Sequence, residues 1–127
     1  MNYNRKRSEA TEQERVINWA RHNEYRCQDL KLLHHIPNGG SRNRAEAVHL
    51  KAQGVKAGVP DLFLPAPRRE KHGLYIEMKW KNNKPTEKQQ WWLKELYRLG
   101  YEVAVCWSAD AAILTIKQYL ELEDHGE

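Results

Sequence analysis

Apolar positions recur along the chain with two periods, and the places where the period changes mark its elements. Thr11, followed three residues later by Glu14, reads as a capping box. Val16, Ile17, Trp19 and Ala20 continue it as a helix. The run at 30–36 (LKLLHHI) is dense enough for a strand, and Pro37-Asn38-Gly39-Gly40 stops it with a strong turn signal. Residues 43–53 have helical spacing and end at Gly54. The apolar run 61–64 between Pro60 and Pro65 predicts a short buried strand, and 67–73 is a polar hairpin connection leading to a second strand at 74–80. Residues 86–99 form a helix closed by Gly100, 101–107 a third apolar strand, and Ser108 caps a last helix to about Leu122. The predicted order is α-β-α-β-β-α-β-α. A strand pair followed by a helix and another strand implies an α/β domain, a mixed central sheet flanked by helices.

Composition narrows this picture. The chain has 127 residues, enough for one domain and one core. We divide it into a flexible basic arm at 1–10, a single domain at 11–122 and an acidic tail at 123–127. The formal charge is +4, but four of the 17 acidic side chains lie in the last seven residues, and none of the 21 basic ones does. A basic body with an acidic tail suits a polyanion such as nucleic acid, and equally suits a merely soluble basic protein. Two cysteines, Cys27 and Cys106, make neither a disulfide framework nor a paired zinc motif. They fit a reducing, cytoplasmic compartment. The basic N-terminus lacks an apolar signal core, and no stretch approaches the ~20 apolar residues of a membrane helix.

The candidate chemistry lies in Tyr75-Ile76-Glu77-Met78-Lys79. Alternate residues of a strand share a face, so Glu77 and Lys79 point one way while Ile76 and Met78 point into the core. In isolation such a pair is most often an exposed strand ion pair. Here, however, Asp61 opens the preceding, very apolar strand, and a loop of hairpin length joins the two. Pairing of these strands brings Asp61 beside Glu77, and adjacent carboxylates repel unless a cation sits between them. Oxygen ligands of this kind suit Mg²⁺ or Mn²⁺. Such a metal activates water and neutralises charge on a phosphate, and Lys79 is placed to assist the attacking water. Gly54 and Gly58 flank the approach and permit a close ligand contact.

Pro60-Asp61…Glu77-x-Lys79 resembles the signature of the PD-(D/E)XK nuclease superfamily. More narrowly, the chain resembles the VRR-NUC family in its compact stand-alone form common among phages and prophages. The resemblance rests on Glu12-Gln13 with Trp19-Ala20, on Ile36-Pro37-Asn38-Gly39-Gly40-Ser41-Arg42-Asn43, on Gly54-Val55-Lys56-Ala57-Gly58-Val59-Pro60-Asp61, on Leu74-Tyr75-Ile76-Glu77-Met78-Lys79, and on 85–93 with Gln89. It implies a PD-(D/E)XK restriction-endonuclease-like fold and a Mg²⁺- or Mn²⁺-dependent DNA endonuclease, Holliday-junction-resolvase-like and homodimeric, in a bacterial or phage-infected cell. It also implies a further metal ligand on the first helix. Glu12 is the match, with Glu14 and Glu9 the other candidates. Gln89 is implied at the site, although Thr86-x-x-Gln89 is itself a capping box. His34 and His35 stand where relatives carry apolar residues. A zinc site from His34, His35, Cys27 and Cys106 lacks zinc-ligand spacing.

Arg42, Arg44, Lys51, Lys56, Lys81 and Lys84 are candidate phosphate contacts, as are Arg5, Lys6 and Arg7 in the arm and the backbone of Asn38-Gly39-Gly40-Ser41. Trp91 and Trp92 lie ~100° apart on their helix, so one packs on the sheet and the other is freer for a dimer contact, with core packing the default for both. The alternative reading of the whole is a non-catalytic DNA-binding module on a nuclease fold.

Overall fold

In the computed structural model, which describes residues 7–37 and 43–123, the elements are α1 (Glu9–His22), β1 (His34–His35), α2 (Arg44–Ala52), β2 (Leu62–Leu64), β3 (Leu74–Met78), α3 (Glu87–Arg98), β4 (Glu102–Cys106) and α4 (Ala109–Leu120). A short 3-10 helix, Gln28–Leu32, separates α1 from β1. The sheet has the order β1-β2-β3-β4, antiparallel from β1 to β3 and parallel between β3 and β4. This is the mixed α/β class expected from the apolar pattern. No helix among the described residues is long and apolar enough to cross a membrane.

Strand periodicity builds the core. Leu62, Leu64, Leu74, Ile76 and Met78 are buried on one face of β2 and β3, and Val16 and Ala20 of α1 with Ala112, Ile116 and Tyr119 of α4 cover them. Burying each aliphatic side chain contributes about 1.5–3 kcal/mol, so these positions hold β2 and β3 in one register. The Tyr119 hydroxyl satisfies its polarity by donating to the Ala66 carbonyl at 2.6 Å. On the opposite side α3 packs along β4, and its Leu96 is buried outside that core.

Two elements differ from the sequence expectation. The run 30–36 is a strand only at His34–His35, because residues 28–32 coil into the 3-10 helix. That helix turns Leu30 alone inward and leaves Lys31 and Leu32 exposed. A 2.9 Å ion pair between Asp29 and Arg68 ties it to the β2–β3 connection. The second difference is the start of α1. Ser8 is the cap: its hydroxyl accepts from Thr11 N–H at 3.1 Å, and the Thr11 hydroxyl accepts from Ser8 N–H at 2.7 Å. Either hydroxyl residue can cap. The choice of Ser8 draws Glu9 and Ala10, expected in the arm, into the helix. The turn at 38–42, Arg42 with it, and the arm at 1–6 lie outside the described residues.

The earlier start also decides the role of Glu12, which faces inward and is 0% exposed. Its Oε1 accepts the Ala109 N–H at 2.9 Å, and Arg7 and Arg15 lie at 3.2 and 3.3 Å from the carboxylate. Glu12 thus caps the N-terminus of α4, where an orphan N–H and the helix dipole favour an anion, so its oxygens are engaged here at the position where the resemblance implied a metal ligand. Burial opposes its charge, but the Ala109 N–H and the two arginines outweigh that and hold the carboxyl below its ordinary 4.5. Replacing it (Glu12→Ala) leaves the Ala109 N–H unsatisfied, while the two exposed arginines lose only screened partners. The expected loss is about 2 kcal/mol, or about 6–10 °C in Tm. Because the folded carboxyl is held low, the difference from wild type is full above pH 4.5 and shrinks as pH falls below it. Thermal melts across pH check this, and an unchanged Tm near neutrality would remove the capping role.

Candidate active site

The site is built by the β2–β3 register. Leu62 pairs with Ile76 and Phe63 with Tyr75, so Asp61, one residue before β2, stands opposite Glu77. The pairing expected from the sequence is present. Asp61 is held from several sides. Its Oδ2 accepts the Met78 N–H at 2.7 Å. Its carbonyl accepts both the Ile36 N–H and His35 Nδ1–H at 2.8 Å. Lys79 continues β3 beside β4 by donating its N–H to the Cys106 carbonyl at 2.9 Å, and its Nζ lies 3.6 Å from Glu77 Oε2.

All three side chains are buried: Asp61 is 6% exposed, Glu77 2% and Lys79 7%. They are therefore not a solvated strand pair. Burial, then the charge of Asp61, pushes the Glu77 carboxyl up from 4.5 to about 8, against the pull of Lys79. Burial also raises Asp61, offset by the Met78 N–H and then by the charges of His35 and Lys79. Two carboxylates facing one volume cannot both stay charged cheaply.

While Glu77 keeps its proton the two acids can share it, but once Glu77 ionises its Oε1 is buried with no donor to meet it. An orphaned buried oxygen of this kind calls for a ligand. A second carboxylate beside it makes an all-oxygen set that fits Mg²⁺ or Mn²⁺, which bind through one or two carboxylates and keep several waters. Among the described residues no three His, Cys, Asp or Glu side chains are gathered into a ready-made metal cage. The zinc combination of His34, His35, Cys27 and Cys106 is accordingly not assembled.

Glu9 lies nearer this site than Glu12 does. It is partly buried, and burial followed by the negative charge of Asp61 raises its carboxyl. Its own charge adds to the upward push on Glu77. A sequence signal existed: with Ser8 as cap, Glu9, Glu12, Val16 and Ala20 form one helical stripe, which a start at Thr11 hides. Gln89 is occupied by the other role its position offered. Its Oε1 accepts the Thr86 N–H at 2.9 Å, and the Thr86 hydroxyl accepts the Gln89 N–H at 3.2 Å. Lys88 was not singled out by the sequence motifs; His35, noted there as a departure from the family's apolar pattern, lies at the Asp61 carbonyl.

Gly58 positions the loop that leads to Asp61. Its φ is +95°, and a Cβ there would meet the Lys88 backbone at 3.0 Å. The close approach it permits is to α3 rather than to a ligand. Arg44, Lys51, Lys56, Lys81 and Lys84 are all exposed. Lys51 and Lys56 converge with Lys88 on one groove, and Lys81 lies over the Trp80 ring at 5.7 Å.

A family model, the VRR-NUC domain, matches residues 1–110 of the chain. A solved structure described as a VRR_NUC domain protein is 32% identical, superposes with a TM-score of 0.78, and is matched over 94% of this chain and 93% of its own. Fanconi-associated nuclease 1 of Danio rerio is 41% identical over 51 residues, 40% of this chain. The chain spans 5% of the length of that relative.

The raised Glu77 carboxyl has a consequence for stability. The folded protein binds this proton more tightly than the unfolded chain, so the stability it contributes is complete below pH 4.5 and is lost as pH rises through about 8. In EDTA, Glu77→Gln is therefore expected to melt above wild type at pH 8 and to converge with it near pH 5. Mn²⁺ should raise the Tm of wild type and not of the variant. A Glu77→Gln protein that melts below wild type at pH 8 in EDTA would contradict the like-charge strain.

Proposed function

Because the chain belongs to the VRR-NUC domain family, we propose that it is a divalent-metal-dependent deoxyribonuclease, an endonuclease that hydrolyses phosphodiester bonds in branched DNA. The observation that carries this reading is the buried Asp61–Glu77 pair, with one unpartnered carboxylate oxygen and the Lys79 ammonium beside it. The name of the zebrafish relative supports a nuclease, and the basic surface supports DNA as its substrate.

In this reading Asp61 and Glu77 hold Mg²⁺ or Mn²⁺, and Glu9 rather than Glu12 is the third, helix-borne carboxylate. A bound Mg²⁺ or Mn²⁺ supplies an acidified water and draws charge from the phosphate. The protein supplies the rest. The Met78 N–H fixes Asp61, so its remaining lone pairs are aimed before any ligand arrives. Lys79, buried beside Glu77, orients the attacking water and neutralises charge as it builds on the phosphate oxygens. Burial keeps these interactions in a low dielectric, where they are worth more than in bulk water. We further propose that two copies act together on four-way junctions, since a two-fold assembly matches a two-fold substrate and gives paired cuts.

A cleavage panel of four-way junction, flap, splayed and linear duplex DNA tests the reading. Branched substrates should be cut with Mg²⁺ or Mn²⁺ and not in EDTA. Asp61→Asn, Glu77→Gln and Lys79→Ala should each lower the rate by about 10²-fold or more. Glu9→Gln should lower both Mn²⁺ affinity and cutting, whereas Glu12→Gln should act on stability alone. Full activity of Lys79→Ala would remove the site. DNA binding without metal uptake or cutting would favour a non-catalytic module, and sedimentation with and without a junction reports the dimer.

A further inference from the structure

A groove of about 700 Å³ lies between α2 and α3, away from the carboxylates, with Trp91, Trp92 and Val55 on its apolar surface and Lys51, Lys56 and Lys88 around it. Trp91 is 57% exposed, which is costly for so large an apolar ring. The two indoles meet edge to face at 5.5 Å, so each braces the other. Among the described residues no acidic side chain lines the groove. Its volume is in the range of sites that enclose a planar ligand. Flat aromatic surface ringed by cations is the chemistry that binds unpaired nucleotides: bases stack on the rings, and phosphates meet the ammonium groups. Paired bases inside a duplex cannot reach such a ring.

The groove also leads toward the candidate active site. A second space of about 400 Å³ shares Val55, Lys56 and Trp92 with it and continues to Ile36 and Val59. Ile36 N–H is bonded to the Asp61 carbonyl, and Val59 is two residues before Asp61 in the chain. A strand lying in both spaces therefore reaches the backbone that leads into Asp61. A polyanion suits this ring of ammonium groups better than a second copy of this chain, whose own formal charge is +4.

We propose that this lysine-ringed tryptophan groove binds an unpaired stretch of DNA, with a base stacked on Trp91 and phosphates on Lys51, Lys56 and Lys88, and so feeds a strand from a branch toward Asp61 and Glu77. The feeding step rests on the nuclease reading above; the binding step does not. Binding is tested in EDTA, without cleavage, by fluorescence anisotropy of a short labelled oligothymidylate and of a blunt duplex. Trp91→Ala, at an exposed position, should weaken the oligothymidylate about ten-fold, which corresponds to about 1.4 kcal/mol and lies within the range for one base–aromatic stack. It should leave duplex binding nearly unchanged, and Trp91→Phe should retain most of the affinity. Lys51→Ala with Lys56→Ala should weaken binding and flatten its salt dependence. Wild-type oligothymidylate affinity in Trp91→Ala overturns the proposal. So does a Trp91→Ala protein that sediments as a monomer where wild type is a dimer but binds the oligothymidylate unchanged, which assigns the groove to a second copy. Trp91-dependent binding by a protein that never cuts would defeat the nuclease reading and leave the groove assignment standing. Metal-dependent cutting together with Trp91-independent binding would do the reverse.

Discussion

Asp61 and Glu77 are held side by side in a buried volume, and much of the surrounding structure answers that like-charge contact. The apolar face of β2 and β3 creates it, since seating Leu62, Leu64, Ile76 and Met78 in the core turns Asp61 and Glu77 to the same opposite face, and the register sets them against each other. The Met78 N–H and the Lys79 ammonium each relieve part of the repulsion. One oxygen of Glu77 is left without a partner, and that unmet demand is the feature a cation would satisfy. Core packing thus holds an arrangement that electrostatics opposes, which is how pre-organised sites are commonly built.

The first helix shows how one turn of chain separates two roles. Glu9 and Glu12 lie on the same stripe of α1, three residues apart. Glu12 meets the start of α4 and two arginines, which make it a buried anion with every demand met. Glu9 has its carboxyl pushed the other way, by burial and then by the charge of Asp61. The same residue type is structural in one place and available for a ligand in the other because of what the neighbouring elements present. Gly58 plays a comparable part for the loop: by letting it lie against the backbone of α3, it links the segment that ends in Asp61 to the helix that carries the tryptophan groove.

Much of this was legible from residue spacing. The strict alternation of 74–79 shows which side chains share a face, and two prolines bracket the strand that follows Asp61, so the central trio could be read before any coordinates. The helices at Glu87–Arg98 and Ala109–Leu120 begin one residue after the caps that Thr86 and Ser108 announced, because capping is a local hydrogen bond between near neighbours. The run at 30–36 was less legible. Its apolar density fits a strand or a tight helical turn equally, and the ion pair of Asp29 with Arg68 that favours the turn joins residues far apart in sequence.

What the sequence determined by itself was therefore local: periods of two and of 3.6, caps, turn residues, and the sharing of a face by Glu77 and Lys79. Each depends on interactions within a few residues, which spacing records directly. The tertiary structure alone decided that Glu12 caps α4 while Glu9 faces the carboxylates, and that Lys51, Lys56 and Lys88 converge around Trp91. At Ser8 and Thr11 and at Gln89 the sequence offered two local arrangements, and the structure takes one of each. The lysine groove is assembled from separate elements, so no stretch of sequence announced it. The Asp61–Glu77 contact joins the two levels. Its residues were visible in the chain, and its burial, which turns an ordinary pair of acids into a candidate metal site, came only from the sheet.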